Sequence, residues 1–463
     1  MGLRDIFLMV TIYGSIPLIY LRPFLGVLVW YWVALMNPHR LSWNLVHQPF
    51  AQLIALALLS SLLLATRERK ELPLTTITVG LMLFWGWMLI TTFFAIHPGE
   101  AWQQWDKVWK IMLTTLVSIL ILNTKHRVIA LATVATLSIA LYGAKGGLFT
   151  VATGGAYRVW GPPGSFIGGN NEMGLALIMT VPLVVYLRQI VPYRIINIAL
   201  LVCIVLCIFA ILGTQSRGAF VSVVAMGVFM LGKTKNKAAY FLLAVVLGAT
   251  VFTFMPESWH ERMATIVEYE QDASAMGRLK AWEMATNMAS ARVVGGGFEA
   301  FGPATYLMYL PEVGPRNTDA HSIYFETLGE HGFIGLTLFV AIGLAAFVTC
   351  ERIVRGTRGL PQWEWMNRLA AMLQVSFVGY AVAGIFLGLA YFNYYYCLLA
   401  LVVGLKLLYD RDVRGIEPKV IGSAPEKRFS AGAESLRKEL PPFPEKLTPA
   451  SLWPIAVAWW YRI

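Results

Sequence analysis

Ile195 to Gly213, IINIALLVCIVLCIFAILG, runs through nineteen residues without one charged side chain. As a helix at 1.5 Å per residue it spans about 28 Å, close to the hydrocarbon thickness of a bilayer. Inside lipid the backbone must satisfy its own hydrogen bonds, so a run of this kind is a helix or part of a closed barrel. It shows none of the alternation of a barrel strand, so helix is the reading. Working outward, apolar runs recur at 6–21, 24–36, 50–65, 76–96, 108–122, 128–144, 172–187, 218–232, 238–255, 333–350, 369–389 and 391–409. The first two are parted by Arg22-Pro23 and read as two short spans or one broken element. The expectation is an all-α, polytopic membrane bundle of twelve or thirteen helices. No repeat of fixed period is visible.

The composition agrees. Of 463 residues, 57% are hydrophobic and 14% charged, against about 25% charged in a soluble domain. Mean hydropathy is +0.62. The net charge of +11 suggests a nucleic-acid partner at first sight. Most of the Lys and Arg, however, sit in short loops between apolar runs, which is a topology signal and not a binding stripe. No nucleic-acid role is expected. Cys203, Cys207, Cys350 and Cys397 all fall inside apolar runs and read as buried thiols, with no Cys/His metal spacing. The first apolar run lacks a small-residue cleavage site and reads as a retained anchor.

The loops holding Arg67, Arg69 and Lys70; Lys125 and Arg127; Arg188 and Arg194; Lys233, Lys235 and Lys237; and Arg352, Arg355, Arg358 and Arg368 alternate with poorer ones. The positive-inside rule makes these cytoplasmic. Segments 97–107, 145–171, 213–217, 256–331 and a short turn at 389–391 then face the other side, the periplasm in a cell with two membranes. The chain divides into N-terminal membrane helices (1–255), a large periplasmic loop (256–331), C-terminal membrane helices (332–409) and a cytoplasmic tail (410–463). The tail is rich in Pro, Lys and Glu and is expected to be mobile. Its end, with Trp453, Trp459, Trp460 and Tyr461, is too short to span and suits the membrane interface.

Three segments on that side could carry chemistry. Tyr157 to Asn171 is rich in Gly and Pro and precedes a membrane helix. Asn170 and Asn171 could cap that helix, whose N-terminus favours an anion, and Arg158 could add a phosphate-binding fork. A turn-rich loop with a capping Asn is the plainer reading. Thr214-Gln215-Ser216-Arg217-Gly218 places a lone Arg on the positive-poor side, either functional or snorkelling to headgroups. In the long loop, Arg278 and Trp282 lie four apart on one helix face. Trp259 and His260 precede them, and Glu268, Glu270 and Asp272 form an acidic patch. Asp319-Ala320-His321-Ser322 follows, then Glu326, Glu330 and His331, with a helix entered at Gly332-Phe333-Ile334-Gly335. A neutral His at the mouth of a bundle suits general-base work, and Asp319 could orient it. A structural histidine is the competing reading, and His331 looks like one.

His321-Ser322, followed after nine residues by Gly332-Phe333-Ile334-Gly335, resembles the signature of bacterial O-antigen ligases, integral membrane glycosyltransferases of the O-antigen ligase and polymerase superfamily. Arg217 in Gln-Ser-Arg-Gly, Arg278 in Arg-x-x-x-Trp and the Arg158-to-Asn171 segment resemble the family pattern too, over residues 140–400. The resemblance implies a GT-C-like bundle in the bacterial inner membrane with its active site facing the periplasm. It implies transfer of a glycan from undecaprenyl diphosphate to a sugar hydroxyl of lipid A–core, with inversion, no cofactor and no metal. His321 would then be the general base and Arg217 and Arg278 the donor-diphosphate ligands. Arg158 would be a weaker ligand, with Asp319, Trp282, Asn170 and Asn171 in support. Membrane lipids are the surrounding partners. The short N-terminal runs and the long tail depart from the pattern and leave the acceptor open: a second glycan for a polymerase, or Ser/Thr for a protein O-oligosaccharyltransferase. A transporter of lipid-linked glycan belongs to a different class. It predicts repeat-related halves and charges at the midplane, whereas Arg217, Arg278 and His321 map to one face. A non-catalytic scaffold is the third reading.

Overall fold

The computed structural model describes residues 2–421, apart from 43, 47, 65–67, 69, 234–237, 239–241, 243–247, 249–252 and 265–272. Among the described residues, the apolar runs become helices. In chain order these are α1 (Leu3–Leu21), α2 (Pro23–Met36), α3 (Phe50–Leu64), α4 (Thr76–Phe93), α5 (Pro98–Ile121), α6 (Lys125–Ala152), α7 (Asn170–Ile190), α8 (Arg194–Gly213) and α9 (Arg217–Lys233). The hydrophilic stretch folds as α10 (Glu257–Ala264), α11 (Ala273–Ala291) and α12 (Pro303–Tyr309). The chain closes with α13 (Ile323–Gly356), α14 (Glu364–Ala383) and α15 (Asn393–Leu408). The run 238–255 lies for the most part outside the described residues. Among the described residues, six helices are long and apolar enough to cross a membrane: α1, α4, α6, α7, α8 and α13.

Burial sorts the bundle into centre and rim. Every residue of α15 except Lys406 is buried, and so is 83% of the apolar window of α7, with α14 packed between them. Only 28% of the apolar windows of α1, α8 and α13 is buried, so their Leu, Ile and Val side chains point outward. A helix that is apolar all round and yet exposed needs an apolar solvent.

Four expectations are corrected. The helix expected to start at 108 begins at Pro98, because Pro suits a first helical position. The helix expected to end at 144 continues to Ala152, because Gly146 and Gly147 bring α6 against α8; a Cβ on Gly147 would sit 2.1 Å from the Leu206 carbonyl oxygen. The helix expected from Gly332 is preceded by one more segment, which begins at Ile323 and turns at Gly332 (φ 65°). The tail is ordered further than expected. A π-helical turn at Tyr409–Val413 leads to β2 (Val420–Ile421), which pairs antiparallel with β1 (Leu72–Pro73). The remainder of the tail, with its tryptophans, lies outside the described residues, as do Glu268, Glu270, Asp272, Arg67, Arg69, Lys235 and Lys237.

The connections gather at two ends. At one, Arg127 pairs with Glu68 at 2.5 Å, Arg368 donates to the Gln189 carbonyl at 2.5 Å and Lys233 pairs with Glu351 at 2.9 Å. At the other, Arg40 Nη1 donates to the Pro163 carbonyl at 3.0 Å, and the Ile96 amide to the Gly296 carbonyl at 2.8 Å. This second end unites 37–42, 94–97, 153–169, 214–216, helices α10, α11 and α12, and 384–392.

Candidate active site

The arginine turn is built first. α8 ends at Gly213 and α9 begins at Arg217, so three residues reverse the chain, with Gln215 at φ 54°. The Gly-Pro loop zips onto this turn. The Val159 amide donates to the Gly213 carbonyl at 2.8 Å and Gln215 Nε2 to the Gly155 carbonyl at 3.0 Å. Arg158 Nε reaches Gln215 Oε1 at 3.4 Å. Arg158, exposed, thus reaches the turn that leads into half-buried Arg217, the first residue of α9.

Asn170 behaves differently from expectation. The cap of α7 is Gly169, and Asn170, inside the first turn, donates Nδ2 to the Thr214 carbonyl at 2.9 Å. It ties α7 to the arginine turn and caps nothing; Asn171 follows it in the same turn. The helix start does not stand open to an anion either. The carboxylate of Glu172 lies back over Gly169, so closely that a Cβ there would be 2.0 Å from it. A first-turn carboxylate already answers the N-terminal dipole.

The second group hangs on α11. Trp282 donates Nε1 to the Ala320 carbonyl at 2.8 Å and stacks on Phe325, centroids 4.6 Å apart and planes within 4°. One turn earlier, Gly277 backs onto Thr318, whose carbonyl accepts from Tyr306 Oη at 2.8 Å. Arg278, half-buried, is thereby held on the helix face that carries the Thr318–His321 strand of chain.

His321 adopts the left-handed conformation (φ 47°), and its Nδ1 stands 3.1 Å from the Asp319 carbonyl oxygen. The Asp319 carboxylate was expected to orient the imidazole. It accepts instead from the Ala320 amide at 2.7 Å, because with φ positive at His321 the backbone carbonyl is the nearer partner. A carboxylate neighbour does exist for Asp319. Glu299 has its pKa raised by partial desolvation and then by the Asp319 charge. His331 is buried, with Nδ1 2.7 Å from Thr91 Oγ1, its carbonyl accepting from Trp87 Nε1 and its ring 4.7 Å from Phe298. Those contacts make it a packing residue.

What joins the two groups was read too small in the sequence. In place of a turn at 389–391, residues 384–392 form a connector between α14 and α15. Its Gly384 carbonyl accepts the Ile323 amide at 2.8 Å, and its Ala390 amide donates to Glu326 Oε2 at 2.9 Å. Tyr391 donates to Glu330 Oε2 at 2.6 Å, while the Glu299 amide donates to Oε1 at 2.8 Å. Phe386 packs on Gly218, beside Arg217, and Gly388 fits between Asp319 and Glu326. Gly384 and Gly388, four apart in an otherwise apolar run, were the legible signal. Gln215, not singled out in the sequence, is the side chain that holds the 155–158 loop to the arginine turn.

Among the described residues no group of three or more His, Cys, Asp or Glu has metal-binding spacing. Asp410 and Asp412, the sequence's Asp-x-Asp, are engaged by Lys406, Arg414 and Arg411 at the opposite end. The four cysteines are free thiols.

The helical bundle carries Arg158, Arg217, Arg278 and His321 at the same end. Residues 202–340 match the family described as O-Antigen ligase, and residues 3–192 match a family of unknown function (DUF5935). The first match supports a place in the O-antigen ligase and polymerase superfamily of membrane glycosyltransferases. It covers Arg217, Arg278, Trp282, Asp319 and His321, and leaves Arg158, Asn170 and Asn171 outside. No curated protein matches the chain.

Proposed function

We propose that the protein is a glycosyltransferase of the bacterial inner membrane that moves a glycan from undecaprenyl diphosphate to a sugar hydroxyl of lipid A–core at the periplasmic face. One observation carries the reading: the connector 384–392 touches both the Arg217 turn and the Asp319–His321 segment, within reach of the stretch that matches O-antigen ligase. The orientation is inferred from the positive-inside rule, since Arg127, Lys233 and Arg368 belong to Lys- and Arg-rich connections at the opposite end. On this reading about twelve helices span, including those shorter than a full bilayer.

In the proposed reaction His321 Nε2 takes the proton of the acceptor hydroxyl as its oxygen attacks the anomeric carbon. The carbon–oxygen bond to the diphosphate breaks on the opposite face, which inverts the centre. Arg217 and Arg278 neutralise the charge that grows on the departing undecaprenyl diphosphate, and Arg158 adds to the field from the rim. The family accommodates polymerases, for which the acceptor is a second lipid-linked glycan, and protein O-oligosaccharyltransferases share the same motifs.

The test gives the purified chain a lipid-linked donor with lipid A–core, a second lipid-linked glycan or a Ser/Thr acceptor protein in turn. Transfer to lipid A–core supports the ligase. Transfer to one of the others alone assigns that reaction instead, and transfer to none removes the glycosyltransferase reading.

A further inference from the structure

Arg217, Arg278 and His321 belong to separate stretches of chain: the turn into α9, the large loop, and the strand of chain before α13. Glu330, in the part of α13 that precedes the Gly332 turn, lies where these stretches are tied together. Its side chain is buried, 5% exposed. Each carboxyl oxygen takes a donor from a different element. Oε1 accepts from the Glu299 amide of the large loop at 2.8 Å, and Oε2 from the Tyr391 hydroxyl of the connector at 2.6 Å. The backbone beside it takes two more amides of the loop: Gly296 donates to the Gly329 carbonyl and Gly297 to the Glu330 carbonyl, each at 2.8 Å. A buried carboxyl is costly unless its oxygens are hydrogen-bonded, so Glu330 and its two donors hold one another in place.

Apolar contacts cross the same junction. The Phe298 ring of the loop meets Tyr391 of the connector at 5.0 Å and His331 of α13 at 4.7 Å, both edge-on. His331 is in turn fixed to α4 through Thr91, at 2.7 Å.

What the junction sets follows from where its two arms lead. Along the connector, Tyr391 leads back to Gly388, beside Asp319, and to Phe386, packed on Gly218 next to Arg217. The residues between are held as well. The Leu389 carbonyl accepts from Tyr380 at 2.9 Å and the Ala390 carbonyl from Tyr396 at 3.1 Å. Along the loop, Glu299 follows α11, the helix that carries Arg278. Glu299 is left-handed (φ 56°), a conformation that a residue other than glycine keeps only where its surroundings fix it. The bond from its amide to Glu330 is one such fixture. A leucine at 330 would fill a similar volume and hold neither donor, so what the carboxyl adds is geometry.

We infer that Glu330 is a positioning residue: it joins the large loop to the connector and so sets the arginine groups against His321. The inference rests on the transfer reaction proposed above for what those groups do.

The experiment compares the full chain with Y391F, E330L and E330Q in nanodiscs of phosphatidylethanolamine and phosphatidylglycerol. Two readouts are taken on each: amide hydrogen exchange across 295–302 and 384–392, and transfer kinetics with lipid-linked donor and the acceptor that the parent uses. Y391F removes the link to the connector. Its 384–392 segment is expected to exchange about threefold faster or more, with kcat down about fivefold and the donor KM within about twofold of the parent. A side chain that only stabilised the fold would lower the melting temperature and leave the kcat of the folded protein unchanged. E330L removes both links and is expected to loosen 295–302 as well. E330Q keeps an acceptor for the Glu299 amide and meets the Tyr391 hydroxyl with its own N–H, so both readouts are expected to return to within about twofold of the parent. Should E330L fail to fold, Y391F and E330Q decide. Parental exchange across 384–392 in Y391F, or a parental kcat with that segment loosened, would overturn the inference. A parent that transfers to no acceptor removes the glycosyltransferase reading itself, and the exchange comparison then decides whether Glu330 joins loop and connector.

Discussion

His321 Nδ1 stands 3.1 Å from the carbonyl oxygen of Asp319, and a carbonyl can only accept. Nδ1 is therefore the donor in this contact, and in the proposed reaction Nε2 is the nitrogen that meets the acceptor hydroxyl. The orienting group is the backbone of Asp319, not its carboxylate, which serves the Ala320 amide. Asp319→Asn preserves an acceptor for that amide and is expected to keep transfer within about threefold of the parent. Asp319→Ala loosens the turn and is expected to cost about 1 kcal/mol, roughly fivefold in initial rate.

Arg217→Ala and Arg278→Ala are each expected to lower transfer by roughly 2–4 kcal/mol on the transition state, the scale of one lost oxyanion donor. Donor binding should weaken alongside turnover, measured by titrating lipid-linked donor. Lysine at either position restores the charge but not the planar fork, so rescue should be partial. Unchanged turnover in Arg217→Ala would remove that residue from the mechanism.

Trp282→Phe keeps a ring to stack on Phe325 and removes the indole N–H that holds the Ala320 carbonyl at 2.8 Å. Loss of one such bond is worth about 1 kcal/mol. The expected outcome is a severalfold lower transfer rate with the melting temperature little changed, read by rate assay and thermal scan on one preparation.

Gly332 turns α13 at φ 65°, and a Cβ there would approach the Val293 carbonyl oxygen to 2.3 Å. Gly332→Ala must strain the turn or push residue 293 away, at about 1–3 kcal/mol. A melting temperature equal to the parent's would show that the kink is not fixed by this contact.

Glu299 has a raised pKa, through desolvation first and the Asp319 charge second. A carboxyl of this kind favours the folded state while protonated, and that contribution fades as pH rises from the ordinary glutamate range through the raised value. Glu299→Gln is therefore expected to melt higher than the parent at neutral pH. The gap should close as the medium is acidified below the ordinary glutamate pKa.

The helices were legible because lipid leaves a backbone few choices, and long uncharged runs such as 195–213 announce themselves. Their ends were not. Pro98 and the Gly146-Gly147 pair extend α5 and α6 through packing that periodicity cannot see. Local spacing placed Arg278 and Trp282 on one face, but it could not show that Asn170 would bind the Thr214 carbonyl instead of capping its own helix. The connector 384–392 was read as three residues because its role lies in contacts with Gly218, Ile323 and Glu326, each far away in sequence.

The most direct test of the proposed mechanism compares transfer with donor binding in His321→Asn. Asparagine tolerates the left-handed conformation found at this position, so the turn should survive. Transfer from lipid-linked donor is expected to fall to the blank while donor affinity stays within about twofold of the parent. A folded His321→Asn protein that transfers at the parental rate would contradict the assignment of His321 as the base.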